Sequence, residues 1–110
     1  MHINAVGSHS VDAREIDTTT IVRSKVVVDS RDAALKEAAD LIIPISNGDI
    51  SESHLYAELG EIVAGKKQGR IDRKEITLFK SQGLAIQDVS TALLVFKLAT
   101  AKGIGKDVKL

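Results

Sequence analysis

Apolar residues fall into short clusters along the chain, and two of these clusters predict buried strands. Residues 2–6 are largely apolar and run into Gly7 and Ser8, as a buried strand does where it opens into a loop. Three consecutive valines at 26–28 follow Lys25, and β-branched residues in series favour the centre of a sheet. The pattern therefore predicts a sheet that holds at least these two strands.

Two further segments show weaker strand patterns. Residues 75–80 nearly alternate polar and apolar side chains, which is typical of a strand with one wetter face. Residues 41–43 are Leu, Ile and Ile and stand directly before Pro44, the only proline of the chain. Because proline cannot donate to a strand ladder, we interpret residues 41–43 as a short strand that Pro44 stops.

Helical patterns separate these segments. Asp17 is placed to cap residues 17–25, although three threonines in a row favour at most a short helix there. The Asp29-Ser30 pair supplies a cap for a helix over residues 31–39. Ser51 is predicted to cap a further helix that Gly65 closes, with apolar residues at helical spacing: Leu55, Tyr56, Leu59, Ile62 and Val63.

The last predicted helix, residues 84–102 before Gly103, is apolar on most of its faces. Leu94, Val95 and Leu98 widen an apolar stripe that the other residues of the helix already form. A helix coated in this way needs burial on more than one side, which a partner or a missing domain would supply.

Strands that alternate with helices predict an α/β fold with a mostly parallel sheet, and such sheets bind ligands at the carboxyl ends of their strands. Three loops follow predicted strands and take that position: residues 7–10, 29–30 and 81–83. We expect the chemistry of the protein in these loops.

Composition narrows the function classes. The chain has 110 residues, 15 basic and 15 acidic, so its formal net charge is zero and gives no general attraction to nucleic acid or acidic lipid. Aromatic residues make up 3%, which counts against base stacking, and the absence of cysteine excludes disulfides and thiolate metal sites. With no long apolar run and no signal-peptide pattern, we expect a cytoplasmic protein that binds neither membranes nor nucleic acid.

Each candidate residue has a functional and a structural interpretation. Gly7 and Ser8 allow a ligand near the backbone, or simply form a strand-ending turn, and His9 serves in proton transfer or lies on the surface. Arg14 holds a carboxylate or phosphate, or pairs locally with the acidic residues around it. The turn at residues 81–83 offers a hydroxyl and N–H groups to an anion or amide, or caps a helix.

The motifs specific for phosphate or zinc are missing. The chain has no Gly-x-Gly-x-x-Gly, no Gly-Lys-Ser/Thr phosphate loop and no His-Glu-x-x-His. We expect no metal.

Six strings in order resemble the C-terminal part of the ornithine cyclodeaminase/mu-crystallin family: residues 3–8, 12–17, 26–30, 57–65, 76–81 and 83–88. The resemblance covers nearly the whole chain, and the family includes NAD-dependent alanine dehydrogenases and ketimine reductases. It implies the C-terminal half of a Rossmann-like parallel sheet (residues 1–80), followed by a helix (residues 81–110) that returns to a substrate and dimerisation domain. It also implies a homo-oligomer that uses NAD or NADP with a small amino acid, imine or 2-oxo acid.

The same resemblance assigns roles to individual residues. Val6, Gly7 and Ser8 match the segment that lines the nicotinamide side of the cofactor, Ser81 matches a serine near the cofactor, and Gln82 matches the neighbouring position that faces substrate. His9 stands where cyclodeaminases carry a catalytic aspartate, which argues against ornithine cyclisation. The run at residues 12–15 resembles the mu-crystallin and alanine dehydrogenase branches more closely, which favours hydride transfer to an imine or 2-oxo acid.

We expect the chain by itself to be inactive, because the family's Gly-rich phosphate turn and carboxylate anchors lie in the N-terminal part that it lacks. The alternative is a non-catalytic module that self-associates through its last helix.

Overall fold

The computed structural model describes residues 1–8, 10–106 and 108. Its strands and α-helices follow in order: β1 (His2–Ala5), α1 (Thr18–Val22), β2 (Ser24–Val28), α2 (Arg31–Glu37), α3 (Ala39–Ser46), β3 (Leu55–Glu58), α4 (Leu59–Val63), β4 (Ile76–Lys80) and α5 (Ala85–Ala101). A short 3-10 helix, Glu52–His54, leads into β3.

The four strands form one parallel sheet in the order β1-β4-β2-β3. Lys80 at the end of β4 lies opposite Ala5 of β1 on one side and Val28 of β2 on the other, and Val28 lies opposite Glu58 of β3. All four carboxyl ends therefore meet at one edge, called the carboxyl edge below. This confirms the predicted parallel α/β fold and brings the three predicted loops to the same edge.

One face of the sheet carries the core. Helix α3 packs against both α1 and α2, while α1 packs on β2 and α2 packs on β3. The buried cluster is entirely aliphatic: Ala5, Ile21, Val26, Val28, Ala34, Ala38, Leu41, Leu55 and Leu78. Fully burying an aliphatic side chain of Val, Ile or Leu size contributes roughly 1.5–3 kcal/mol, so this face supplies most of the driving force for folding.

The opposite face is more open. Helix α4 and the segment around Arg70 border a cleft of about 430 Å³ over the sheet, whose floor includes Asn4, Val27 and Phe79. Strand residues alternate between the two faces, so the neighbours of the core residues point into this cleft.

Several local predictions are confirmed. The Asp17 carboxylate accepts the Thr20 N–H at 3.0 Å and caps α1, and the Ser30 hydroxyl accepts the Ala33 N–H at 3.4 Å and caps α2. Gly65 and Gly103 follow α4 and α5 with φ angles of +70° and +63°, the left-handed conformation that glycine adopts without strain.

The predicted strand at residues 41–43 is wrong, because these residues lie in the middle of α3. Pro44 is inside that helix and is buried together with Leu41. A short apolar run does not distinguish a buried strand from one buried face of a helix, and here packing against α1 and α2 decides for the helix.

The predicted helix from Ser51 onwards is also wrong in its first half. Leu55 and Ala57 are buried and alternate with half-buried Tyr56 and Glu58 in β3, the outermost strand beside β2. Helix α4 begins only at Leu59, where the Glu58 side chain and the Glu61 side chain form a capping box. Strand pairing with β2 therefore overrides the helical spacing.

Helix α5 confirms the prediction for the last segment. Its 17 residues include none that is buried, and its large apolar side chains are exposed: Ile86, Val89, Leu93, Leu94, Val95, Phe96 and Leu98. Across the described part of the chain, no helix combines the length and apolar character needed to span a membrane.

Candidate functional site at the carboxyl edge

The turn after β4 is held by a single carboxylate. Asp29, directly after β2, accepts three hydrogen bonds on its Oδ2 atom: from the Ser81 hydroxyl at 2.8 Å and from the Gln82 and Gly83 N–H groups at 2.9 Å each. Its Oδ1 atom accepts the Ser30 N–H at 2.8 Å. Asp29 therefore joins the ends of β2 and β4.

The loop after β1 is held by a lysine. Lys80, the last residue of β4, is completely buried, and its Nζ donates to the Ser8 carbonyl at 2.7 Å and to Glu15 Oε1 at 3.1 Å. The carboxylate of Asp40, also completely buried, lies 3.0 Å from Nζ as an ion pair. Its other oxygen accepts the Glu15 and Ile16 N–H groups at 2.8 Å each. We call Lys80, Asp40 and Glu15 the lysine cluster.

Gly7 is needed because of Glu15. Both carboxylate oxygens of Glu15 accept the Gly7 N–H at 3.0 Å, and a Cβ atom on Gly7 would lie 2.5 Å from Glu15 Oε2. From the sequence, Gly7 is predicted to allow the approach of a ligand or to form a turn. In the structure the space next to Gly7 is filled by a carboxylate of the same chain.

The charge of Glu15 is stabilised by its partners. Partial burial acts to raise the pKa of the Glu15 carboxyl, but the Gly7 N–H, the hydrogen bond from Lys80 and the positive charge of Lys80 together hold that pKa below its ordinary value. At neutral pH the Glu15 carboxyl is therefore ionised.

The structure brings the predicted cofactor residues into one region. Val6 is 67% exposed at the end of β1, and Ser8 is buried, with its hydroxyl donating to the Ala13 carbonyl. Lys80 contacts the Ser8 carbonyl and directly precedes Ser81, so the loops after β1 and β4 are neighbours. His9, the predicted catalytic residue, lies outside the described residues.

Gln82 has an unusual environment. Both polar atoms of its side-chain amide are buried, and neither has a hydrogen-bond partner among the described residues. A buried amide normally finds partners, so this group is an unsatisfied donor and acceptor next to the Ser81 turn.

Other candidates have local roles. Arg14 donates to the Ile16 carbonyl at 3.0 and 2.9 Å and to the Thr18 hydroxyl at 3.1 Å, which favours its structural interpretation. Ser81 is not a helix cap, since α5 begins at Ala85 with Leu84 in the cap position. Within residues 1–8, 10–106 and 108, no group of three His, Asp or Glu side chains is arranged to hold a metal ion.

Sequence reasoning missed the residues that organise the edge. Lys80 fits a wetter strand face, and Asp40 falls in the segment before the wrongly predicted strand; neither carries a local signal of burial. The sequence predicts the Asp29-Ser30 pair as a helix cap. Ser30 is that cap, while Asp29 holds the neighbouring turn. Only the placement of β4 between β1 and β2 reveals these contacts.

Comparison with known proteins fits this arrangement. A profile of the "Ornithine cyclodeaminase/mu-crystallin family" matches residues 1–103. The chain belongs to this family.

Three relatives within the ornithine cyclodeaminase/mu-crystallin family illustrate the match. A Delta(1)-pyrroline-2-carboxylate reductase of Bacillus cereus is 42% identical over 110 residues, which are 99% of this chain and 34% of the relative. The Thermococcus litoralis reductase of the same name, solved with NADH and L-proline, is 53% identical with a TM-score of 0.87, over 97% of this chain and 33% of that one. An archaeal alanine dehydrogenase dimer with bound NAD is 38% identical with a TM-score of 0.80, over 99% and 34%.

The chain spans about a third of the length of these family members. The matched part is the C-terminal third of the relatives, as the resemblance implied. The family and the Rossmann-like fold are therefore confirmed.

Proposed function

We propose that this chain supplies the C-terminal part of an NAD(P)-dependent reductase or dehydrogenase that acts on a small amino acid, imine or 2-oxo acid. In this proposal residues 1–80 form the second half of a nucleotide-binding domain, and residues 81–110 form the helix that returns to a substrate and dimerisation domain. The protein works as a homo-oligomer in the cytoplasm. Relatives solved with NADH and L-proline or with NAD support the cofactor and substrate classes.

The proposal rests on the backbone N–H donors at the carboxyl edge, most of which are already hydrogen-bonded within the chain. A phosphate site at a strand end needs free backbone N–H groups. Here Glu15 already occupies the Gly7 N–H, and Asp29 occupies those of Gln82 and Gly83. This edge therefore favours an uncharged or cationic group, such as a nicotinamide ring, and leaves the pyrophosphate to residues outside this chain.

The residues at the edge fit the nicotinamide end of a dinucleotide. Val6 offers an exposed apolar side chain to the face of a ring. The Ser81 hydroxyl gives its proton to Asp29 and accepts the Gly83 N–H at 3.2 Å, so it has one lone pair left to accept a carboxamide N–H. The unsatisfied amide of Gln82, once its side chain turns outward, supplies an N–H donor to a substrate carboxylate.

In this proposal the bound nicotinamide supplies the hydride, and the chain orients the reacting groups. His9 transfers a proton to the substrate nitrogen or oxygen, because imidazole titrates near neutral pH. Lys80 and Asp29 keep the two loops together, so that the ring and the substrate meet between Ser8 and Gln82.

A chimera tests the function. We expect that this chain, joined to the N-terminal two-thirds of the Thermococcus litoralis reductase, oxidises NADH with Delta(1)-pyrroline-2-carboxylate or with pyruvate and ammonia, followed by absorbance. The chain alone should show no turnover. A folded chimera that binds NADH without turnover on either substrate would contradict the proposal, and turnover by the chain alone would show that the missing part is dispensable.

A matched pair of histidine variants identifies the proton donor in the chimera. His9→Ala should lower kcat by roughly a hundredfold or more, the usual contribution of a positioned acid or base. His2→Ala is the control, because His2 lies at the amino end of β1 and contacts the Thr77 hydroxyl at 2.7 Å. Equal effects of the two variants would remove His9 from the catalytic role.

The exposed face of α5 favours a second candidate, a non-catalytic module that self-associates. Light scattering of the chain at high concentration tests it. A monomer at all concentrations would remove this candidate and leave the first untouched.

A further inference from the structure

Strand β4 ends in a fully buried lysine, whose burial carries a large desolvation penalty. Lys80 and Asp40 are both 0% exposed. The free energy needed to remove two charges from water can exceed the free energy gained from their mutual attraction. Apolar residues of similar volume often replace such a pair without loss of stability. The contribution of Lys80 should therefore be sought in the geometry that it fixes.

Lys80 fixes the start of the loop after β1. Its Nζ holds the Ser8 carbonyl at 2.7 Å and the Glu15 carboxylate at 3.1 Å, and Glu15 in turn holds the Gly7 N–H. The backbone at residues 7 and 8 is thus fastened from β4, the adjacent strand, on both its N–H and its carbonyl side.

Asp40 fixes the other end of the same loop. One carboxylate oxygen faces Lys80, while the other accepts the N–H groups of Glu15 and Ile16 at 2.8 Å. Asp40 sits in α3, which packs on α1 below the loop. The lysine cluster therefore clamps residues 7–8 and 15–16 to the body of the fold.

We propose that Lys80, supported by Asp40, is a positioning residue for the cofactor: it holds Gly7 and Ser8 in the one conformation that faces the nicotinamide ring. This inference rests on the proposed function and adds to it a residue that does not touch the cofactor. The loop is prearranged before binding, so its ordering does not reduce the affinity for NADH.

Amide hydrogen exchange of the 110-residue chain tests the clamp without any cofactor. In Lys80→Met the protection of the Gly7 N–H should fall by roughly tenfold or more, because Glu15 loses its anchor. The double variant Lys80→Met/Asp40→Asn removes both buried charges and keeps an acceptor oxygen for the N–H groups of Glu15 and Ile16. It should recover much of the lost stability, while Gly7 remains unprotected.

Lys25→Met is the matched control. Lys25 is also a strand lysine in an ion pair, with Glu75 at 2.9 Å, but it lies at the amino end of β2. Its loss should leave the exchange of Gly7 unchanged. Unchanged Gly7 exchange in the double variant would overturn the proposal.

NADH binding by the chimera distinguishes a positioning role of Lys80 from a purely structural one, because a purely structural role would leave the affinity for NADH unchanged. The double variant should raise the dissociation constant and the KM for NADH by about tenfold and leave kcat nearly unchanged, since the loop must be ordered on binding. Unaltered NADH affinity together with faster Gly7 exchange would overturn the link to the cofactor. An unsubstituted chimera that binds no NADH would refute the proposed function instead, and the exchange experiment would still decide whether Lys80 fixes the loop.

Discussion

The carboxyl edge of the sheet buries polar side chains, whereas helix α5 exposes apolar side chains. At the edge, polar groups that are costly to bury find partners within the chain, as Lys80 does with Asp40 and Asp29 does with the turn at residues 81–83. On α5, seven large apolar side chains remain exposed. Apart from the Gln82 amide, these polar groups of the edge find partners within the chain, whereas no described residue covers the apolar side chains of α5.

Because of this difference, variants of the two regions should affect different quantities: the free energy of unfolding and the extent of self-association. Changes at the edge should act on the free energy of unfolding, because they leave buried charges or donors without partners. Changes on α5 should act on association and leave unfolding nearly unaltered.

The largest effect on stability is expected at Lys80. Lys80→Met leaves the Asp40 carboxylate buried without its counter-charge, and the free energy of unfolding should fall by about 3–5 kcal/mol. Urea denaturation measures this loss. A loss below about 1 kcal/mol would show that water reaches Asp40, since only an exposed pair is worth so little.

A smaller loss is expected at Asp29. Asp29→Asn replaces one acceptor oxygen by an NH2 group, which donates and cannot accept. Either the donors at residues 81–83 or the Ser30 N–H then lose their acceptor, at a cost of about 1–3 kcal/mol. Asp32→Asn is the control, because Asp32 is exposed and lies 3.9 Å from Lys36; its effect should stay within about 0.5 kcal/mol. Similar effects of the two variants would mean that the Asp29 hydrogen bonds contribute no more to the free energy of unfolding than an exposed carboxylate does.

Acid should weaken the fold gradually through its paired carboxylates. The hydrogen bond from Lys25, followed by that from the Ile71 N–H, lowers the pKa of Glu75 below its ordinary value of 4.5. Since the unfolded chain binds the proton first, the contribution of Glu75 is complete above about pH 4.5 and is lost as the pH falls through the lower pKa of the folded state. The urea midpoint should therefore decline below pH 4.5, and less steeply in Glu75→Gln.

The smallest effect on folding is expected on α5. Leu94→Gln with Phe96→Gln should change the free energy of unfolding by no more than about 0.5 kcal/mol, because both side chains are exposed. The same change should lower the mass measured by light scattering at high concentration. Thr91→Gln, a polar change on the same helix, is the control and should leave the mass as it is.

The sequence predicted those parts of the fold that local chemistry decides. The valines of β2, the cap at Asp17, the helix α5 and the glycine after it needed no tertiary information. Residues 41–43 and β3 were mistaken because a short apolar run suits a helix and a strand equally, and the surrounding packing makes the choice. The lysine cluster could not be predicted from the sequence, since Lys80 and Asp40 are 40 positions apart and become partners only through the strand order.

For the candidate site the sequence indicated the place but not the contacts. Gly7, Ser8, Ser81 and Gln82 do lie at the carboxyl edge, as strand-end loops of a parallel sheet must. What occupies their donors could not be deduced, because Asp29 and Glu15 reach them from other loops.

Strand β1 forms one border of the sheet, with β4 as its only partner among the described residues. A border strand exposes a row of backbone N–H and C=O groups, and these pair with whichever extended segment arrives first. In a concentrated sample of this chain, that row can be met by another molecule. Aggregation during purification would then begin at β1, and a charged residue in place of the exposed Asn4 or an added strand would be the means to suppress it.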